Sequence, residues 1–159
     1  MKRLTLLRHG HAEARAEGGD FHRTLSAQGR LEVQRSATAL AVLCTAPELI
    51  LASAAQRTRD SAAVLQEHLR SHAAIETTPK LYHASASTLL EVIQETPDGI
   101  GHLLLVGHNP GISELALRWA KRFPAHADFG GFSTAGWCSV VFEVDTWTAI
   151  SSPSDAVFA

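Results

Sequence analysis

The chain has 159 residues, of which 45% are apolar and 19% charged, and its formal net charge is −2. This length and composition exclude the disordered and fibrous classes, and we expect one domain over residues 1–159 that folds without metal or disulfide cross-links. The low net charge and scattered basic residues argue against nucleic acid or an anionic membrane as a partner, because no basic face would gather a polyanion.

The amino-terminal segment has no signal-like apolar stretch, because Arg8 and His9 follow the first short apolar run. No other run approaches the length of a transmembrane helix. We therefore expect a cytoplasmic protein.

Three short, nearly continuous apolar runs are typical of strands buried on both faces of a parallel sheet. They are Leu4 to Leu7, Leu49 to Ala52 and Leu103 to Val106. We expect them to form the centre of the sheet.

Helical periodicity follows each of these strands. The periodic apolar positions are Val33, Ala37, Leu40, Ala41 and Cys44, then Ala62, Leu65 and Leu69, and finally Ile112, Leu115, Ala116, Trp119 and Phe123. Pro110 suits the first turn of the last helix because that turn leaves its N–H groups unpaired, and Pro124 is expected to end the helix.

The alternation of strands and helices predicts an α/β fold, a three-layer α/β/α arrangement with a mainly parallel central sheet and right-handed crossovers. Near the end of the chain, Trp137 to Val144 and Trp147 to Ile150 are separated by Asp145-Thr146. This pattern predicts an antiparallel hairpin at the sheet edge.

Polar residues follow each of the three predicted strands. They are Arg8-His9-Gly10, the stretch from Ser53 to Arg57, and Gly107-His108-Asn109. Each motif is weak alone, since short matches recur by chance. The carboxyl ends of parallel strands meet in one crevice, so the three motifs together predict a functional site.

The residue types in this set suit phosphoryl transfer, which needs a nucleophile and fixed positive charge around the phosphoryl oxygens. A neutral imidazole is a nucleophile near about pH 7 and gives a phosphoramidate that water can hydrolyse, so we expect His9 to be the nucleophile. Arg8 and Arg57 would clamp the phosphate and favour neutral His9. His108, ahead of a predicted helix start, would complete the anion site.

Further residues are expected to border the substrate. Gly10 lets the backbone turn or approach the phosphate closely. His11 and Glu13 could contact the phosphate or donate a proton, although polar residues after a strand are commonplace. Asn109 is the remaining candidate, as part of the third motif.

These motifs resemble, in order and spacing, those of the histidine phosphatase superfamily. The matching segments are Arg8-His9-Gly10, Ser53-Ala54-Ala55-Gln56-Arg57-Thr58 and Gly107-His108-Asn109. Arg23-Thr24-Leu25-Ser26 with Gly29 is similar to the segment before the first long helix in the short, SixA-type phosphohistidine phosphatases. The resemblance implies a phosphoglycerate mutase-like fold, catalysis without a cofactor, and catalytic roles for His9, Arg8, Arg57 and His108.

The chain departs from the family at two places. Ala54 and Asp60 stand where a Pro and a Gln are usual. The glutamate that serves as general acid in the mutase-like branch is missing, because the chain there reads Leu81-Tyr82-His83-Ala84-Ser85.

The missing acid favours a phosphoramidate substrate. Phosphohistidine expels an imidazole with a pKa near about 6.5, which needs less proton donation than an alkoxide. A compact chain without a large lid also suits a phosphate carried on another protein. The prediction is a phosphatase for phosphohistidine or related phosphomonoesters, with a covalent intermediate on His9 and inorganic phosphate as product.

Two alternatives to this prediction stay open, and a third, a metal site, is disfavoured. The chain could be a small-metabolite phosphatase acting on a small phosphorylated substrate. It could be a non-catalytic, phosphate-binding regulatory module, which Ala54 and Asp60 would support. A metal site of His9, His11 and His108 is disfavoured because the neighbouring arginines would repel a cation, so no metal is expected.

Other polar and aromatic residues are expected to have no role at the site. Asp20, His22 and Arg23 could form a substrate-facing rim in the loop from Gly10 to Leu25, but a solvated loop is favoured. The tryptophans Trp119, Trp137 and Trp147 would pack in the core or at an edge. The surface histidines would be His68, His72, His83, His102 and His126.

Overall fold

Six strands form one mixed sheet in a computed structural model that describes residues 1–159. They are β1 (Lys2–Arg8), β2 (Leu49–Ser53), β3 (Ala74–Thr78), β4 (His102–Gly107), β5 (Trp137–Phe142) and β6 (Asp155–Phe158), in the order β3-β2-β4-β1-β5-β6. The strands β3, β2, β4 and β1 are parallel, whereas β5 is antiparallel to β1 and β6 to β5. The mainly parallel sheet is confirmed, and the three predicted strands are neighbours within it.

Four helices cover the two faces of the sheet: α1 (Ala27–Leu43), α2 (Gln56–His68), α3 (Ala86–Gln94) and α4 (Gly111–Ala120). On one face, α1 and α2 bury a cluster that includes Val33, Leu65, Ile50 and Leu104. On the other face, α3 and α4 bury a larger cluster that includes Leu89, Leu115, Leu6 and Leu105. The three-layer α/β/α arrangement is confirmed. None of the helices combines the length and the apolar character that crossing a bilayer requires.

The strands β3 and β6 and the helix α3 were not predicted from the sequence. The strand β3 lies at the edge of the sheet, and Ala74, Glu76 and Thr77 are exposed, so it has no continuous apolar run. The helix α3 is short, with nine residues, and begins where Ser85 accepts a hydrogen bond from the N–H of Thr88. This N-cap was a signal that could have located the helix.

The last helix is shorter than predicted. Pro110 lies at the N-cap, one residue before α4, rather than in the first turn. The helix ends at Ala120, and a turn in which the N–H of Phe123 donates to the carbonyl of Ala120 leads into a 3₁₀ turn over Pro124–His126.

The predicted hairpin of Trp137–Val144 with Trp147–Ile150 is wrong, because β5 pairs with β1 and β6 instead. Trp147–Ala149 forms a 3₁₀ turn. The Trp147 indole is fully buried and donates to the carbonyl of Ile100 at 2.9 Å, while its backbone N–H donates to Asp98 Oδ1 at 3.0 Å. These bonds draw Trp147 into the core and away from the edge of the sheet.

His102 is not a surface histidine, contrary to the sequence-based expectation. It begins β4 and is 4% exposed, with Nε2 2.9 Å from Thr5 Oγ1 and Nδ1 3.3 Å from Thr45 Oγ1. Burial lowers the pKa of His102 to about 4, and the charge of Arg3 acts in the same direction. His68 and His72 are exposed, as expected.

We expect the free energy of unfolding to fall as the pH drops from about 6.5 towards about 4, because His102 binds a proton in the unfolded chain but not in the fold. This histidine contributes up to about 3 kcal/mol to that loss. Urea unfolding of His102→Gln over this pH range should give a flatter dependence. The matched control, His68→Gln at an exposed position, should keep the wild-type slope. An unchanged slope in His102→Gln would contradict the assignment.

Candidate active site

The predicted motifs meet at one edge of the sheet. Arg8 at the end of β1 is in register with Gly107 at the end of β4, and β2 lies on the other side of β4. The imidazole centroids of His9 and His108 are 5.2 Å apart. The Nε of Arg57 donates a hydrogen bond of 3.3 Å to Nε2 of His9. The structure thus brings together His9, Arg57 and His108 from three separate motifs.

The hydrogen bonds of His9 determine which ring nitrogen carries the proton. Nδ1 lies 2.7 Å from the carbonyl oxygen of Gly10, which can only accept, so Nδ1 carries the hydrogen. Nε2 is therefore unprotonated, and its lone pair accepts the hydrogen bond from Nε of Arg57. Burial lowers the pKa of His9 to about 4, although the bond to Gly10 opposes this, and the charges of Arg57 and Arg8 lower it further. A neutral imidazole with an available Nε2 can act as a nucleophile.

Arg57 is the second residue of α2 and is 2% exposed. Its Nη1 donates to the backbone carbonyl of Asp20 at 2.8 Å, and Nη2 donates to the carboxylate of the same residue at 3.1 Å. Nη2 also lies 3.4 Å from Nδ1 of His108. This guanidinium places a fixed positive charge beside both buried histidines.

Arg8 provides the second guanidinium. Its Nη1 donates to the carbonyl of Phe132 at 3.1 Å, whereas its Nε is buried without an acceptor in the protein. Burial lowers the pKa of Arg8, and the charge of Glu32 opposes this shift. A buried donor without a partner is costly, so an anion that accepted from this nitrogen would remove the cost.

Ser53 positions His108. Its hydroxyl lies 2.8 Å from Nε2 of His108, and both residues are buried. Burial lowers the pKa of His108 to about 3, and the neighbouring His9 and Arg57 lower it further. Both buried histidines are consequently neutral near pH 7, so protonated rings do not add to the charge of the arginines.

Gly10 is required for packing. Its N–H donates to the hydroxyl of Ser61 at 3.1 Å, which joins this loop to α2. A Cβ at position 10 would lie 2.7 Å from the carbonyl oxygen of Gly29 and 2.9 Å from Val33 Cγ2. The absence of a side chain therefore lets the loop after His9 pack against α1.

The side chains of the other predicted substrate-binding residues make local contacts. Nδ1 of the exposed His11 lies 2.7 Å from the hydroxyl of Ser26, and Glu13 is exposed in the same loop. Asn109 donates to the carbonyl of Phe132 at 2.9 Å and accepts from Ser113. These bonds do not bring His11, Glu13 or Asn109 onto the cluster around Arg57.

Asp20 lies at this cluster, which agrees with the substrate-facing rim and not with the solvated loop that the sequence favoured. Its carboxylate accepts from Nη2 of Arg57, from the hydroxyl of Tyr82 at 2.5 Å and from Nη2 of Arg23 at 2.8 Å. The bond from Tyr82, together with the two arginines, holds the pKa of Asp20 well below its usual range. The sequence carried no signal for this contact, which depends on how the loop folds back.

His83 is exposed, as expected, but it also lies at the cluster. Its ring stacks on Tyr82 with centroids 4.1 Å apart and lies 5.3 Å from the ring of His108. The backbone of the next residue, Ala84, passes directly over the start of α4. A Cβ at Gly111 would lie 1.9 Å from the carbonyl oxygen of Ala84. Tyr82 and His83 stand where the sequence lacks the mutase-like glutamate, and this position was the signal that pointed to them.

Comparison with known proteins assigns the family. The sequence model of the histidine phosphatase superfamily (branch 1) matches residues 4–86. The chain belongs to this superfamily. An uncharacterized chloroplastic protein of Arabidopsis thaliana is 32% identical over 126 residues, which is 72% of this chain and 57% of the plant protein. The chain thus spans little more than half of that relative.

Solved structures support the same assignment within the histidine phosphatases. One from Agrobacterium tumefaciens, described as phosphohistidine phosphatase SixA, is 30% identical with a TM-score of 0.77 and covers 87% of this chain and 90% of its own. A protein histidine phosphatase SixA complexed with tungstate matches with a TM-score of 0.74 at 22% identity, over 99% of this chain and 94% of its own. The predicted SixA-type resemblance and phosphoglycerate mutase-like fold are confirmed.

No group of three or more His, Cys, Asp and Glu side chains is arranged to hold a metal ion. Of the eight cavities on the molecule, five have volumes of about 120 to 250 Å³ and are lined by residues other than His9, Arg57 and His108. At the candidate site, the carboxylate of Asp20 occupies donors of Arg57 that an oxyanion would use.

We expect Asp20→Asn to bind tungstate about tenfold more tightly than the wild type, an effect of roughly 1.4 kcal/mol. The amide keeps the shape of the side chain but removes the negative charge that competes for Arg57. Isothermal titration calorimetry measures the affinity. Asp145→Asn, an exposed carboxylate beyond the opposite end of the sheet, is the control and should bind as the wild type does. Weaker binding in Asp20→Asn would mean that the carboxylate mainly orients Arg57.

Proposed function

We propose that this protein is a phosphatase that hydrolyses phosphohistidine or related phosphomonoesters through a covalent phosphohistidine on His9. The observation that carries the proposal is the state of that ring: Nδ1 is tied to the Gly10 carbonyl, and the unprotonated Nε2 lies beside the buried guanidinium of Arg57. Membership of the histidine phosphatase superfamily supports this assignment. So does the likeness to a structure described as phosphohistidine phosphatase SixA.

In the first step, Nε2 of His9 would attack phosphorus while the bond from phosphorus to the leaving group breaks. Arg8 and Arg57 would hold the equatorial oxygens, whose charge they neutralise. The Gly10 carbonyl accepts the Nδ1–H bond and so stabilises the positive charge that develops on the ring. A bound phosphate dianion would raise the pKa of His108 and favour its protonated form, which can donate to the phosphoryl group.

In the second step, water would attack the phosphorus of phospho-His9. The bond from Nε2 to phosphorus breaks, inorganic phosphate leaves, and His9 returns to its neutral form. Splitting the hydrolysis in this way replaces one difficult step with two easier ones.

The absence of a protonated carboxylic acid at the cluster favours phosphohistidine over alkyl phosphates. The carboxylate nearest the cluster, Asp20, stays ionised because of its partners and cannot donate a proton. A leaving imidazole, with a pKa near about 6.5, needs less protonation than an alkoxide. The rim side chains Asp20 and His83 are 43% and 56% exposed, which suits a phosphorylated side chain that enters from another protein.

The departures at Ala54 and Asp60 do not favour the regulatory-module alternative. Asp60 accepts from the N–H of Leu25 at 3.0 Å and from the amide of Gln56 at 2.7 Å, so it joins α2 to the loop before α1. Arg57 nevertheless points to His9. We further propose that the reaction takes place in the cytoplasm, with neither a metal nor an organic cofactor.

The test is phosphate release from an aryl phosphate, from a sugar phosphate and from a phosphohistidine peptide, with and without chelator. We expect turnover that survives chelator, favours the peptide and drops by about 10³-fold or more in His9→Ala. The control, His72→Ala at an exposed remote position, should match the wild type.

Two outcomes would redirect the assignment. Faster turnover of the sugar phosphate would indicate the small-metabolite alternative. Binding of phosphate without release from any substrate would indicate the regulatory module. An alkali-stable phosphoenzyme in the wild type that is missing from His9→Ala would locate the intermediate.

A further inference from the structure

We infer that His83 transfers the proton in both chemical steps, as acid to the leaving group and as base towards water. This assignment rests on the proposed function and supplies the group that the sequence lacks at the glutamate position. The side chain enters the site from the segment between β3 and α3, which contributes none of the three motifs.

The position of His83 relative to the nucleophile supports this role. Its Nε2 lies 3.4 Å from Nη2 of Arg57, and Nε of the same guanidinium contacts Nε2 of His9. The planar guanidinium therefore lies between the two imidazoles, with the nucleophile on one side and His83 on the other. A phosphoryl group held by Arg57 would have His9 towards the core and His83 towards solvent, where the leaving group departs.

The other ionisable groups at the mouth are unsuited to carry the proton. Asp20 stays ionised, and the pKa of Tyr82 is raised by the hydrogen bond it donates to that carboxylate. His108 is buried with Nε2 bound to the hydroxyl of Ser53, and in its protonated form it would donate to the phosphoryl group rather than to the leaving group. The exposed imidazole of His83, whose Nε2 faces both Arg57 and Asp20, is the remaining group that can carry a proton.

His83 faces one negative charge, one positive charge and two neutral rings. Asp20 Oδ2 lies 3.6 Å from its Nε2 and stabilises the imidazolium. Arg57 opposes that charge from α2, and the neutral rings of His108 and Tyr82 flank it. A carboxylate acceptor on one side and a guanidinium donor on the other give Nε2 a partner whether or not it carries a proton.

The backbone fixes the ring in this position. His83 has a φ of 49°, in the left-handed region that residues other than glycine rarely adopt. The stacking on Tyr82 and the contact of Ala84 with Gly111 hold the segment in place. Residues held in such conformations concentrate at functional sites.

The proton balance closes over one cycle. Protonated His83 gives its Nε2 proton to the leaving nitrogen or oxygen while the bond from His9 Nε2 to phosphorus forms. Neutral His83 then takes a proton from water, whose oxygen bonds to phosphorus as the bond to His9 breaks. Inorganic phosphate leaves with His83 protonated again, ready for the next substrate.

The test compares His83→Asn with the wild type on aryl phosphates of rising leaving-group pKa. Asparagine tolerates the left-handed backbone, so the variant removes the proton carrier while the local conformation persists. We expect kcat/KM to fall by about 10²-fold for the most basic leaving group and far less for a nitrophenyl group. The pH profile of kcat/KM should lose the decrease at alkaline pH that deprotonation of the donor causes. His83→Glu should restore part of the rate, and His72→Asn is the matched control.

An equal loss for all leaving groups, with an unchanged pH profile, would overturn the proposal, because it would mean that His83 only positions Arg57. Turnover that falls only in His9→Ala would likewise overturn it and leave the proposed function intact. A wild type without turnover of any aryl phosphate or phosphopeptide would overturn both proposals.

Discussion

The buried guanidinium of Arg57 is the interaction on which the rest of the site depends. It is 2% exposed and makes contacts with His9, Asp20, His83 and His108, which come from four different segments of the chain. A buried charge is tolerated only when it is paired and hydrogen-bonded. The carboxylate of Asp20 meets that requirement, and so the loop before α1 closes over the carboxyl edge of the sheet.

The same charge explains why both buried histidines are neutral. Burial already disfavours imidazolium, and the positive charge of Arg57 adds to the effect at His9 and at His108. The site therefore keeps its permanent charge on arginines and its lone pairs on histidines. A phosphate dianion reverses the balance at His108, because its negative charge favours the protonated ring, whereas His9 is consumed as the nucleophile. One electrostatic environment can thus give two histidines different roles.

The sequence predicted those elements whose pattern of apolar residues matches their burial in the fold. The three central strands are continuous apolar runs because both of their faces are covered, and their ends carry His9, Arg57 and His108. The edge strand β3 is exposed and has no such run, and Trp147 looked like a strand residue although its indole is anchored to Ile100. Asp20 reaches the site through a long-range contact with Arg57 that no local pattern encodes, whereas His83 stands at the position of the missing glutamate.

The site also favours ligands with two negative charges over ligands with one. Any anion that takes the donors of Arg57 must replace the carboxylate of Asp20, which carries a single negative charge and is held in place by Tyr82 and Arg23. A monoanion gains little from this exchange, because it brings to Arg57 the same single negative charge as the Asp20 carboxylate that it displaces. A phosphoryl dianion offers more, and it also supplies acceptors for the unpaired Nε of Arg8. Competition between the ligand and Asp20 therefore favours the phosphorylated form of a partner over its carboxylate side chains.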